Sequence, residues 1–307
     1  MKQLILLTVL LGFSTCRADD VQQLSNVMHE IPANFATTAF PETPEGVLAR
    51  EGQDLITRTN ELIGPKSLKP FAGNNLTCAN CHLGAGTKPF AAPYVGLSGV
   101  YPQYLGRDNK IASIEDRVNS CVERSLNGKA MDVSSREMRA IVTYIKFLSR
   151  GTVVGERTIG QGFMKYDPPR RAADKVIGAK IFSKSCAMCH GTDGQGKRSD
   201  NTSHINYLFP PLWGPDSYND GAGMHRILTA ARFIKANMPL GVTATNPLLT
   251  DEEAYDVAAF INSQPRPEKK GKEKDYPVLA NKPKDCPYPP FGDNVSQAQH
   301  QFGPFNF

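Results

Sequence analysis

Apolar positions along this chain recur with a helical period. From Gly46 to Ile63, Val47, Leu48, Leu55, Ile56, Leu62 and Ile63 form one amphipathic stripe, and Gly64-Pro65 ends it. A more polar helix is predicted over Ile114–Leu126, and Ser134-Ser135-Arg136-Glu137 offers a capping box for a helix running through Leu148, with Gly151 as its stop. Further on, helices are predicted over Ala172–Ser185 and Ala222–Ala236. Thr250-Asp251-Glu252-Glu253 opens a last one that buries Val257, Phe260 and Ile261. Gly178 and Phe182 on the first of these helices would let the closing helix approach closely. The fold class read from this pattern is all-α.

The segments between the helices are punctuated by proline and glycine. Asp19–Pro44 has no clear period and is expected as irregular coil over the first unit. Residues 151–171, with Pro168-Pro169-Arg170-Arg171 near their end, read as a linker. After Gln264 the chain is rich in proline and lysine. Its aromatic residues Tyr276, Tyr288 and Phe291 favour an extended strap across both units over a solvated tail.

Each half carries the same short motif, Cys78-Ala79-Asn80-Cys81-His82 and Cys186-Ala187-Met188-Cys189-His190. The spacing C-x-x-C-H signals covalent attachment of a c-type haem. Two thiols three positions apart reach the two vinyl groups of one porphyrin, and the adjoining histidine becomes the proximal iron ligand. A redox C-x-x-C or half a zinc site are the competing readings, and two copies that both end in histidine oppose them. The expectation is two covalently bound haem c groups in two class I-like cytochrome c domains. These span residues 19–150 and 172–264, with a linker between them and an irregular tail over 265–307. The length of 307 residues has room for about two domains.

Met1-Lys2-Gln3 and the apolar run Leu4–Phe13 precede Cys16-Arg17-Ala18, the pattern of a cleavable secretory signal over residues 1–18. A lipoprotein anchor at Cys16 is the rival, and Thr15 before it is a poor match. A periplasmic location follows, as c-type haem attachment requires, with no membrane span expected in the mature chain and no nucleic-acid partner. Removing Lys2 and Arg17 lowers the formal net charge from +5 to +3, so the placement of individual arginines matters more than the total.

The sixth iron ligands must come from elsewhere. For the second haem, Met238 in Asn237-Met238-Pro239 stands in the loop before the closing helix, and a thioether raises the potential. Met224 and Lys235 are alternatives. The first unit has no such methionine apart from Met131, but it contains Cys121 within Arg117-Val118-Asn119-Ser120-Cys121-Val122-Glu123-Arg124-Ser125. Cys121 is either a buried thiol, a disulfide partner of Cys286, or a thiolate ligand of iron surrounded by Arg107, Arg117, Arg124 and Lys129. The last arrangement would suit an oxyanion. His29, His204, His225 and His300 are expected to be ordinary histidines, with His225 the first exception to consider. Pro93 and Pro211 stand where a carbonyl would orient each proximal imidazole.

These stretches resemble the dihaem thiosulfate dehydrogenase/tetrathionate reductase cytochromes over about residues 45–265. The stretch around Cys121 carries the specific part of the match. The resemblance implies that Cys121 is both haem ligand and catalytic sulfur, with Arg107, Arg117 and Ser125 as substrate contacts. It implies thiosulfate and tetrathionate as substrates and a small soluble c-type cytochrome or similar protein as electron partner. A non-catalytic dihaem carrier and a Sox-type haem subunit are the alternatives.

Overall fold

The structure is a computed structural model, and it describes residues 39–199 and 206–307. The proposed signal over 1–18, His29 and His204 lie outside the described residues, as does most of the coil expected after residue 18. No helix among the described residues is long and apolar enough to cross a membrane.

The molecule is mostly helical and consists of two cytochrome c units. In the first, α1 (Pro44–Thr57) packs against α3 (Arg136–Leu148), with α2 (Ile114–Arg124) between them in sequence. In the second, α4 (Lys175–Ser185) and α5 (Ile227–Asn237) both pack against α6 (Asp251–Asn262). Each unit has its own core. Ile56, Val95, Met138, Tyr144 and Ile145 anchor the first, and Phe182, Ile227, Tyr255 and Val257 the second.

Both helix crossings depend on a glycine. A Cβ on Gly52 would stand 2.1 Å from the Ala140 carbonyl oxygen, and one on Gly178 would stand 2.0 Å from that of Asp256 and 2.9 Å from Phe260 Cβ. The close approach expected at Gly178 therefore occurs, and Gly52 repeats it in the first unit.

Helix ends follow local chemistry with two departures. Thr250 Oγ1 accepts from Glu253 N at 3.1 Å while Glu253 Oε2 accepts from Thr250 N at 2.9 Å, the expected capping box. Around Ser134 the box does not form. Ser135 is the N-cap, accepting from Met138 N at 3.2 Å, because Ser134 turns back on Asp132 and Glu137 pairs with Lys69. The helix expected over Gly46–Ile63 is interrupted at Arg58 and resumes as a short turn, Thr59–Leu62. Buried Thr59 explains the interruption. Its hydroxyl donates back to Leu55 O at 2.7 Å and accepts the Cys78 N–H at 3.0 Å, so the helix end is fastened to the first haem motif.

Among the described residues two short antiparallel ribbons were not foreseen: β1 (Gln103–Leu105) with β2 (Lys110–Ala112), and β3 (Lys197–Arg198) with β4 (Tyr207–Phe209). The turn of the first ribbon carries Arg107.

Residues 157–166 lie against both units. Phe90 N donates to Gly160 O and Ala92 N to Gly162 O, while buried Tyr166 donates its hydroxyl to Asp251 O. The units also meet directly, through Asn74 Nδ2 to Ser217 O at 3.1 Å and Asn219 Nδ2 to Glu123 O at 2.9 Å. The C-terminal segment is a strap. It first runs along the second unit at Gly214 and Asp220, touches the first at Tyr104, Arg107 and Arg124, and returns to the second at Arg226 and Ala173, where it carries a short helix α7 (Gln297–Phe302). Tyr276, Cys286 and Tyr288 form a small buried cluster within it.

Candidate active site

The first haem motif opens into a cavity of about 270 Å³ lined by Cys78, Cys81, His82 and the apolar side chains of Ile56, Val118 and Ile145. His82 Nδ1 lies 2.6 Å from Ala92 O, which fixes the ring with Nε2 as the nitrogen left for a metal. The second motif opens into a cavity of about 240 Å³, and there His190 Nδ1 lies 2.8 Å from Pro210 O. In both places the accepting carbonyl belongs to the residue before the expected proline. The orienting carbonyl therefore stands one position earlier than expected, and Ala92 presents it from a left-handed conformation, φ 49°.

Both cavities fit a covalently held porphyrin. Burial pushes the Cys78 thiol up to about 11, the Cys81 thiol up to about 12 and the Cys186 thiol up to about 11. They are neutral sulfurs in apolar surroundings, suited to thioether bonds. Gln161 lines the first cavity with its amide nitrogen and amide oxygen both buried and without a partner, and the nitrogen is a donor that a cofactor carboxylate could accept from. Arg157 lines the same wall.

Cys121 is the exception among these sulfurs. It lies on α2, free of any disulfide, and lines the first cavity together with Cys78, Cys81 and His82 of the motif. Cys286 is also a free thiol, buried in the strap cluster, so the alternative of a bridge between the two is not realised. Burial pushes the Cys121 thiol up, but Arg117, His82 and Arg107 outweigh it and bring it down to about 6. Arg117, one turn earlier on the helix, donates Nη1–H to Cys121 Sγ at 3.0 Å.

A third cavity of about 300 Å³ lies on the outer side of Cys121. Arg107, Arg117, Arg124, Ser125 and Cys121 line it from the first unit, and Met224, Arg226 and Thr229 from the second. Asp108 is the only carboxylate among its lining residues. Arg124 is neutralised by Asp275 of the strap, with contacts of 2.9 and 2.7 Å, and both groups are less than a tenth exposed. Arg107 is held from behind by the strap. Its carbonyl accepts Tyr276 N–H at 2.8 Å and its guanidinium faces the Tyr276 ring at 5.8 Å. Lys129 is exposed and does not line this cavity, a correction to the expected cation cluster. Sequence reasoning missed Arg226, which replaces it. The signal was faint, a lone arginine just before a helix.

In the second cavity Met238 caps the C-terminal end of α5 and lines the wall together with Met224. Lys235 is ion-paired with Asp251 and is not among the lining residues. His225 places both ring nitrogens against backbone carbonyls, those of Asp220 and Asn262, and His300 uses its two on Lys284 O and Asp293. Cys81 lines all three cavities, so the two haem sites and the arginine-lined space meet at one residue.

Two haem cavities within one helical chain define a dihaem cytochrome c. Residues 69–154 match the family described as "SoxA/TsdA, cytochrome c domain", and residues 176–265 match "Cytochrome c". The thiosulfate dehydrogenase of Psychrobacter arcticus is 40% identical over 81% of this chain and 72% of its own length. That of Allochromatium vinosum is 41% identical over 78% of this chain and 87% of its own. The solved thiosulfate dehydrogenase TsdBA from Marichromatium purpuratum superposes with a TM-score of 0.71 at 36% identity, over 82% of this chain and 52% of that one. The chain thus spans about half of that structure. It belongs to the thiosulfate dehydrogenase family, and it carries two covalently bound c-type haems.

Proposed function

We propose that the chain interconverts thiosulfate and tetrathionate, 2 thiosulfate ⇌ tetrathionate + 2 electrons, with Cys121 as both the distal ligand of the first haem and the sulfur that carries substrate. The observation behind this reading is the position of Cys121, shared between a haem cavity and an arginine-lined anion cavity. In this reading His82 with Cys121 and His190 with Met238 would hold the two irons, and Cys78 with Cys81 and Cys186 with Cys189 would attach the two haems. When bound, the haems supply the electron store, taking the released pair and passing it to a small soluble c-type cytochrome or similar acceptor. The chain is read as exported to the periplasm, with residues 1–18 removed.

The protein's own part is to bring anions together and to handle sulfur. Arg107, Arg117 and Ser125 bind the sulfonate of one thiosulfate and offset the repulsion between dianions. Cys121 thiolate bonds to the sulfane sulfur of that thiosulfate, giving a Cys121–S–S–sulfonate adduct and releasing two electrons. The sulfane sulfur of a second thiosulfate then attacks the Cys121-bound sulfane sulfur. A new sulfur–sulfur bond forms, the bond to Cys121 breaks, and Cys121 departs as thiolate with its electron pair, as in thiol–disulfide exchange.

The test is Cys121→Ala. The variant should retain both haems yet lose thiosulfate oxidation and tetrathionate reduction alike, and retained turnover would refute the proposal. Tetrathionate formed by the wild type without any carrier protein would separate this activity from transfer of thiosulfate to a protein thiol.

A further inference from the structure

The reaction needs two anion positions, and the residues expected to bind substrate all come from the first unit. The opposite wall of the cavity is formed by the second unit, and Arg226 is the only cation it contributes among the lining residues. We infer that Arg226 anchors the sulfonate of the second, attacking thiosulfate, and that Asp285 of the strap positions it. This rests on the Cys121 adduct proposed above.

The geometry of Arg226 is that of a held donor. Its Nε and Nη2 both bond Asp285 Oδ1, the former at 2.8 Å, leaving Nη1 without a protein partner among the described residues. Asp285 is 1% exposed, while the Arg226 side chain is 27% exposed. The other oxygen of Asp285 accepts Leu228 N–H at 3.1 Å, closing the first turn of α5 from outside the helix. The carboxylate therefore fixes both the guanidinium and the backbone that bears it. Thr229, three residues on and also lining the cavity, presents a hydroxyl on the same helix face.

The other arginines do not fill this place. Arg124 spends Nη1 and Nη2 on Asp275, and Nη1 also on Gly221 O. Arg117 is bonded to the Cys121 sulfur, where the first thiosulfate must join. Arg107 stands on the first-unit side, on the turn of the β1–β2 ribbon.

The pairing with Asp285 also suits turnover. Two dianions enter the cavity and one dianion leaves it. A guanidinium–carboxylate pair is neutral overall, so it can orient an incoming sulfonate through its remaining N–H groups without adding net charge that would retain tetrathionate. The full cationic field comes from Arg107 and Arg117, neither of which is bonded to a carboxylate. In the transfer step Arg226 neither gains nor loses a proton. It holds the sulfonate while the sulfane sulfur bonds to the Cys121-bound sulfur and the Cys121–sulfur bond breaks.

The experiment isolates that step from electron transfer. Holoprotein is loaded to completion with tetrathionate, desalted, and chased with thiosulfate, and the Cys121 adduct is followed by mass spectrometry. In Arg226→Gln the second-order rate of adduct loss should fall about a hundredfold, with unchanged optical spectra of both haems. Asp285→Asn should show a smaller loss in the same rate and Asp285→Glu should recover it, which a purely structural defect in the strap would not do. Adduct loss at the wild-type rate in Arg226→Gln would overturn the assignment. Absence of any adduct on the wild-type protein would overturn the Cys121 reading itself and this inference with it.

Discussion

Arg117 and Cys121 stand one helical turn apart on α2, and the guanidinium donates to the sulfur at 3.0 Å. This places a half-buried positive charge beside the atom read as iron ligand and substrate carrier. The contact lowers the proton affinity of the thiol and also draws electron density from the thiolate. Replacing Arg117 with leucine should therefore act in two ways. Thiosulfate oxidation should fall about a hundredfold, and the potential of the first haem should drop, because a nearby cation favours the reduced iron. Spectroelectrochemical titration beside steady-state rates checks both, and an unchanged potential would show that the contact is lost once haem is bound.

The two glycine crossings give a stability prediction. Gly178→Ala would place a methyl group 2.0 Å from the Asp256 carbonyl oxygen, so α4 and α6 must separate. A destabilisation of about 1–3 kcal/mol is expected from such overpacking. It should appear in denaturant unfolding, with the second haem's spectrum perturbed first and the first haem's spectrum following only on global unfolding.

His225 predicts a pH dependence. Burial, assisted by Arg266, lowers it from 6.5 to about 4, with Asp220 and Asn262 opposing. The folded protein thus keeps this ring neutral in a range where the unfolded chain protonates it. Its contribution to stability is fully present above pH 6.5 and is lost as pH falls from there towards 4, at about 1.4 kcal/mol per unit. His225→Gln should flatten the slope of unfolding free energy in that window, and an unaltered slope would assign the acid sensitivity to other groups.

What the sequence made legible was chemistry held in contiguous residues. Both haem motifs, the Thr250 cap and the glycine at 178 are local signals, and the structure uses them as expected. The Ser134 box failed because a distant lysine, Lys69, took Glu137. The single first helix failed because Thr59 serves Cys78. Arg226 and Gln161 went unnoticed for a related reason. Nothing beside Arg226 in the chain announces that Asp285 will clamp it from the strap, and the importance of Gln161 lies in its having no partner inside a cavity built mostly by other segments. The aromatic content of the tail correctly suggested a strap, but not that it would hold three arginines of the third cavity, Arg107, Arg124 and Arg226.

That strap has a bearing on how the molecule loses its site. Asp275, Tyr276 and Asp285 all come from the strap, yet each restrains a side chain far earlier in the chain. Without the strap, Arg124 lacks its counter-charge and Arg226 lacks its clamp. A chain cut by a protease before Asp275 would keep both haem motifs, which lie outside the strap, and lose the restraints on the arginine-lined cavity. A count of attached haems would then overestimate the number of molecules with that cavity intact.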